Sequence, residues 1–116
     1  MKILLLFILL LCTQFAIGQI ESKPISEFNG YDETIELLLD VRTPAEFNAG
    51  YISGAVNIDW LSEEFNQKIQ HLDKNKKIYV YCKKGGRSLK SQERLADLGF
   101  KNVVNLEGGY DAFSKK

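Results

Sequence analysis

The strongest constraint on the fold is a rhythm in which short apolar runs alternate with segments of helical spacing. Ile35 to Val41 reads IELLLDV, an apolar run closed by Asp40, the pattern of a strand buried inside a parallel sheet. KIYVYC, ending at Cys82, and KNVVNL, ending at Leu106, read as further strands, Ala55 to Ile58 as a small one, and a short strand is expected near Pro24 to Ser26. Helices lie between them. In TPAEF, Thr43 can cap a helix, Pro44 suits its first position, Glu46 completes a capping box, and Gly50 stops it. WLSEEFNQKIQHL sets Leu61, Phe65, Ile69 and Leu72 at helical spacing, with the single histidine, His71, as a solvated residue near its end. RSLKSQERLADLGF turns Leu89, Leu95 and Leu98 inward, with Gly99 as its C-terminal cap. A helical turn around Glu27 to Tyr31 and a closing helix in YDAFSKK, after an EGG turn, complete the series. The expected fold is α/β, a small parallel sheet with helices on both faces. At 116 residues, with no internal repeat or low-complexity linker, the chain holds one domain.

The first eighteen residues stand outside this rhythm. They carry one early lysine, an unbroken apolar run from Ile3 to Leu11, and small residues at Ala16 and Gly18, the positions a signal peptidase reads. That run of nine residues is about half of the ~20 a membrane-spanning helix needs. Residues 1–18 are expected to be a signal peptide removed after Gly18, and 19–116 the folded domain, exported to the periplasm or the exterior with no stable membrane span. Lipoprotein anchoring through Cys12 is the lesser alternative, because the large Leu11 beside it suits lipid attachment poorly. Fifteen basic side chains balance fifteen acidic ones, and loss of Lys2 leaves the domain near neutral, so no nucleic-acid or membrane-surface partner is indicated. Loss of Cys12 leaves Cys82 alone, with no internal disulfide possible in a compartment that favours them. A buried structural thiol is the ordinary explanation of a lone cysteine. Its neighbours argue otherwise.

In YVYCKKGGRSL, Cys82 falls where a strand hands over to a helix, the edge at which parallel sheets bind ligands. Backbone N–H groups of such a loop converge on one point, and the helix N-terminus adds partial positive charge. Gly85 and Gly86 are expected to take the positive torsions of a tight cradle. Lys83, Lys84 and Arg87 add full charges at its rim. Surroundings of this kind favour a thiolate, so Cys82 is expected to be a nucleophile whose loop attracts an anion.

Three blocks of the chain then resemble one family. LLLDVRTPAEFNAGYISGAVNI is similar to the rhodanese signature, YCKKGGRS to that family's active-site loop, and NLEGGYDAF to its closing segment, in the family's order. The resemblance implies a sulfurtransferase working through a persulfide on Cys82 by covalent ping-pong catalysis, with no cofactor and no metal. It implies that amides from Lys83 to Ser88 stabilise the anionic persulfide, that Arg87 and Ser88 fix the loop, that Lys83, Lys84, Gly85 and Gly86 complete the substrate-binding set, and that Asp40 and Arg42 organise the site. The implied partners are a small anionic sulfur donor of thiosulfate type and a thiol or cyanide acceptor. Tyr51 and Phe113 stand where many members have histidine and tryptophan, at positions read as structural.

Two other readings stand beside this one. An exported sulfur carrier or partner-binding module without turnover would keep the same loop, with Tyr51, Trp60 and Tyr110 as candidate surface aromatics. A cysteine-dependent phosphatase ranks lower. Four residues separate Cys82 from Arg87, where the phosphate-cradling loop has five, and a shorter ring fits sulfur better than a phosphoryl group.

Overall fold

A computed structural model describes residues 19–115 of the chain. The expected signal peptide, with Cys12, lies outside the described residues. Five strands, β1 (Gln19–Pro24), β2 (Glu36–Asp40), β3 (Val56–Asn57), β4 (Lys77–Tyr81) and β5 (Asn102–Glu107), form one sheet in the order β1-β5-β4-β2-β3. Every neighbouring pair is parallel. The connections carry a 3-10 turn (Ile25–Glu27) and helices α1 (Pro44–Ala49), α2 (Phe65–Ile69), α3 (Gly86–Asp97) and α4 (Gly109–Phe113).

The sheet is apolar on both sides because successive residues of its central strands face opposite ways. Ile78 and Val80 of β4 pack with Leu39, Val41, Val103 and Cys82 against Phe65 and Ile69 of α2 and Leu95 of α3. Tyr79 and Tyr81 of the same strand pack the other way, with Leu38, Val104 and Leu106, against Ile25, Phe28 and the partly buried Ala112 and Phe113. A parallel sheet with helices on both faces is therefore what the chain builds, as its alternating pattern predicts. Among the described residues no helix is long and apolar enough to cross a membrane.

Four local expectations need correction. The first strand lies earlier than Pro24 to Ser26, since β1 runs Gln19–Pro24 in six register pairs with β5. The helical turn also comes earlier, at Ile25–Glu27, while Phe28 packs its ring 5.1 Å from that of Tyr79. The amphipathic segment after Trp60 is helical only over Phe65–Ile69. Asp59 accepts from the N–H of Leu61 through Oδ1 (2.9 Å) and from that of Ser62 through its carbonyl (3.1 Å), which folds those residues into a turn and leaves Leu61 66% exposed. In α3, Leu89 is 46% exposed, and the buried residues are Ser88, Ser91, Gln92 and Leu95.

A polar residue in that buried face ties down the sheet edge. Gln92 donates through Nε2 to the carbonyls of Glu21 (2.7 Å) and Val103 (3.0 Å), stitching β1 and β5 to α3. Gln92→Leu leaves both carbonyls without this donor, and we expect about 1–3 kcal/mol of destabilisation in urea melts. A midpoint equal to wild type would mean that water or relaxation satisfies them instead.

Candidate active site

β4 ends at Tyr81 and α3 begins at Gly86, so Cys82 to Gly85 form the handover between them. Cys82 is 1% exposed and is the only cysteine among the described residues. Its Sγ accepts from the Gly85 N–H at 3.0 Å. The thiol donates to Ser88 Oγ (3.4 Å), and the Ser88 hydroxyl donates to the Gly85 carbonyl (3.0 Å), closing the loop on the sulfur. Gly85 has φ 134°, the positive torsion that turns its N–H inward. Gly86 does not share it: it is the first helical residue, and among the described residues its φ is not positive, contrary to expectation. Lys83 and Lys84 are exposed at the rim, and Ser88 is fully buried.

Arg87 is not a free charge at that rim. Its Nη1 and Nη2 donate to Glu46 Oε1 (2.7 Å) and Oε2 (3.0 Å) in a bidentate pair, with both side chains about a quarter exposed. The pair raises the Arg87 pKa, with smaller support from Cys82 and Asp59. Glu46 also completes the capping box of α1, accepting from the Thr43 N–H and Oγ1 (3.0 Å each) while its own N–H donates to Thr43 Oγ1 (3.3 Å). Its hydrogen bonds to Arg87 come first, and they outweigh burial to hold its carboxyl well below 4.5, at about 2. A carboxylate whose pKa is depressed on folding contributes stability that is complete above its unfolded pKa and lost as pH falls through the folded value. The advantage of wild type over Glu46→Gln is therefore expected to hold at pH 6 and to shrink between pH 4.5 and about 2. Solvent screening limits it to about 1 kcal/mol. Urea melts at pH 6 and pH 3 measure it, and an equal gap at both would refute the assignment.

Behind the loop, Asp40 and Arg42 form a buried pair. Arg42 Nη2 donates to Asp40 Oδ2 (2.7 Å) and to the Gly50 carbonyl (2.7 Å), Nε to both Asp40 oxygens (3.1 Å each), and Nη1 to the Glu46 carbonyl (3.4 Å). Its guanidinium lies 4.4 Å from the Tyr110 ring centroid and 5.6 Å from that of Tyr81. Burial opposes the Arg42 charge, but the bonds to Asp40 more than offset it and raise the pKa. Burial likewise pushes the Tyr81 hydroxyl above its ordinary value, and that oxygen accepts from the Ile52 N–H at 3.1 Å. Asn57 donates to the carbonyls of Asp40 (3.0 Å) and Arg42 (2.9 Å), fixing the strand end from the β3 side.

α4 holds the other side of the loop. The N–H of Tyr110 donates to the Cys82 carbonyl (2.8 Å) and that of Asp111 to the Lys83 carbonyl (3.1 Å). Gly108 takes φ 90° and Gly109 φ 63°, which bring the start of α4 against the loop backbone. Glu46, Asn57, Gly109 and Tyr110 were not foreseen as site residues. Glu46 reads only as a capping residue in sequence, Asn57 acts through a side-chain amide aimed at two main-chain carbonyls, and Gly109 and Tyr110 act through main-chain geometry that leaves no pattern in side-chain chemistry. Of the surface aromatics, Tyr51 is exposed and stacks on Phe47 (4.2 Å), while Trp60 and Tyr110 are partly buried. A cavity of about 360 Å³ lined by Phe28, Tyr31, Ile52 and Phe113 belongs to the face of the sheet that carries Tyr79 and Tyr81 and does not include the Cys82 loop. Among the described residues no cluster of histidine, cysteine and carboxylate side chains could hold a metal ion.

A cysteine gripped by its own loop at the carboxyl edge of a parallel sheet is the candidate active site of an α/β domain. The family model described as Rhodanese-like domain matches residues 25–116, and the chain belongs to that family. It is 36% identical over 87 residues to a chloroplastic thiosulfate sulfurtransferase 16 of Arabidopsis thaliana, covering 66% of this chain and 72% of that one. It is 29% identical to a sulfurtransferase of Allochromatium vinosum, covering 85% and 90%. A rhodanese-related protein of Thermoplasma volcanium superposes with a TM-score of 0.70 at 30% identity, covering 82% and 91%. Some longer relatives, including proteins named tRNA uridine(34) hydroxylase, are matched over about a quarter of their length. The general chemistry of this chain is sulfur transfer, and it is a transferase.

Proposed function

We propose that the chain moves a sulfane sulfur from a small anionic donor of thiosulfate type to a thiol or cyanide through a persulfide on Cys82, and that it does so after export and loss of residues 1–18. The observation that carries this is the Gly85 N–H donating to Cys82 Sγ at 3.0 Å, with the Ser88 hydroxyl oxygen against the same sulfur at 3.4 Å. The ionised sulfur attacks the outer sulfur of thiosulfate. A Cys82–S bond forms, the donor's S–S bond breaks, and sulfite leaves with the electron pair. The acceptor then attacks the outer sulfur, and Cys82 leaves as thiolate, regenerating the enzyme. Gly85 N–H stays aimed at the charge in each half-reaction, the electrostatic logic of an oxyanion hole. Lys83 and Lys84 favour the doubly charged donor.

Incubation with thiosulfate is expected to raise the intact mass by one sulfur, which cyanide removes as thiocyanate. A chain that loads once and does not turn over would act as a carrier, and one that never loads would overturn the donor assignment. A cleaved aryl phosphate in place of sulfur loading would support the phosphatase reading. Export is checked separately by the N-terminal residue of the protein recovered from its native host, expected to be Gln19.

A further inference from the structure

One positive charge at the mouth of Cys82 is cancelled by a residue from another part of the chain. Arg87 follows the nucleophile by five positions and interacts electrostatically with its sulfur. Yet both terminal nitrogens of its guanidinium are taken by Glu46, at 2.7 and 3.0 Å. That carboxylate is itself locked in place by Thr43, whose N–H and hydroxyl each bond Oε1 at 3.0 Å. The pair is net neutral, and Asp59 adds a weaker electrostatic attraction to the same guanidinium. What remains to draw an anion are Lys83 and Lys84, exposed and, among the described residues, in no salt bridge, and the Gly85 N–H of the loop.

We propose that Glu46 is a specificity-determining residue, which holds Arg87 as a neutral pair beside the sulfur so that anion selection rests on Lys83 and Lys84. The mouth is then less positive than CKKGGR implies, and sulfane donors of low charge, such as the persulfide of a neutral thiol, are admitted beside thiosulfate. Releasing Arg87 would sharpen the preference for anions. Removing Arg87 alone would leave the Glu46 carboxylate facing the entrance and weaken it. This deepens the donor assignment made above and rests on it, but its test needs no turnover.

The full-length chain is treated with two methanethiosulfonates of similar shape, one bearing a 2-sulfonatoethyl group and the other a neutral 2-hydroxyethyl group. In each case the Cys82 thiolate attacks the sulfenyl sulfur, a mixed disulfide forms, and methanesulfinate leaves. Modification is followed on the Cys82 peptide by mass, so Cys12 does not contribute. The readout is the ratio of the anionic to the neutral rate, from which the intrinsic reactivity of the thiol cancels. Glu46→Gln is expected to raise that ratio about three- to tenfold at low salt, and Arg87→Gln to lower it by a similar factor. The double variant is expected to return within about twofold of wild type, and the differences to fade at high ionic strength. Glutamine preserves the capping-box pattern at this position. If Glu46→Gln does not fold, the Arg87→Gln ratio decides alone, since an unchanged value contradicts the proposal. Rates that rise or fall together at an unchanged ratio show that the pair only holds the loop, and overturn it. Failure of the wild type to load sulfur from thiosulfate would instead strike the donor reading, whatever the ratio.

Discussion

Cys82→Ser is expected to abolish sulfur loading and to lower thiosulfate-to-cyanide turnover by about 10³-fold or more. Serine keeps the shape of the side chain in a site that is 1% exposed, and its hydroxyl can still accept from Gly85 and donate to Ser88. What it lacks is the nucleophilicity of sulfur, and neither group bonded to it is a base that could compensate. Sγ accepts from the backbone N–H of Gly85, and Ser88, which accepts from the thiol, is itself a hydroxyl committed to the Gly85 carbonyl. Stability should stay within about 1.5 kcal/mol of wild type, as for a volume-conserving change. The pairing of an intact urea midpoint with lost loading makes the deficit chemical. A variant that still gains a cyanide-labile sulfur would move the chemistry away from Cys82.

Gly109→Ala is expected to cost about 3 kcal/mol or more and to disable the loop without touching any of its residues. Gly109 lies at φ 63°, and a Cβ there would fall onto main-chain atoms, 2.5 Å from both the Cys82 oxygen and the Lys83 carbonyl carbon. Backbone cannot rotate away as a side chain tip can. The collision would push α4 off the loop and break the Tyr110 and Asp111 bonds to the carbonyls of Cys82 and Lys83. Gly86→Ala supplies the contrast. No atom lies within 4 Å of its Cβ position, and it starts α3 at an ordinary torsion, so its stability should be unchanged or about 0.5 kcal/mol higher. Urea midpoints and loading stoichiometry for the two variants decide the matter. Equal midpoints would mean that α4 does not anchor the loop as described.

The elements that could be read from sequence are those whose cause is local. Apolar runs such as IELLLDV and KIYVYC announce β2 and β4 because both faces of those strands are buried. The capping box at Thr43 and Glu46 is a short-range pattern, and it forms as expected. Leu61 and Leu89 misled because helical spacing says nothing of what lies opposite. A turn set by Asp59 takes Leu61 out of α2, and α3 buries Ser88, Ser91 and Gln92 because each has hydrogen-bond partners inside. Cys82 stood out by its neighbours in sequence. Glu46 did not, because its second partner, Arg87, lies 41 residues away and only the sheet brings them together.

The pairing of β1 with β5 joins the first described strand to the last across six register pairs. A chain with this topology cannot close its sheet until its final strand is available, so the nascent or threaded polypeptide stays without a stable partial fold until late in its synthesis. For a protein proposed to cross a membrane before it works, that delay is useful. An exported chain of this topology would stay slack enough to pass through a narrow conduit, and its Cys82 loop would be assembled only on the far side, when the carboxyl-terminal strand arrives between β1 and β4 and α4 settles onto the loop.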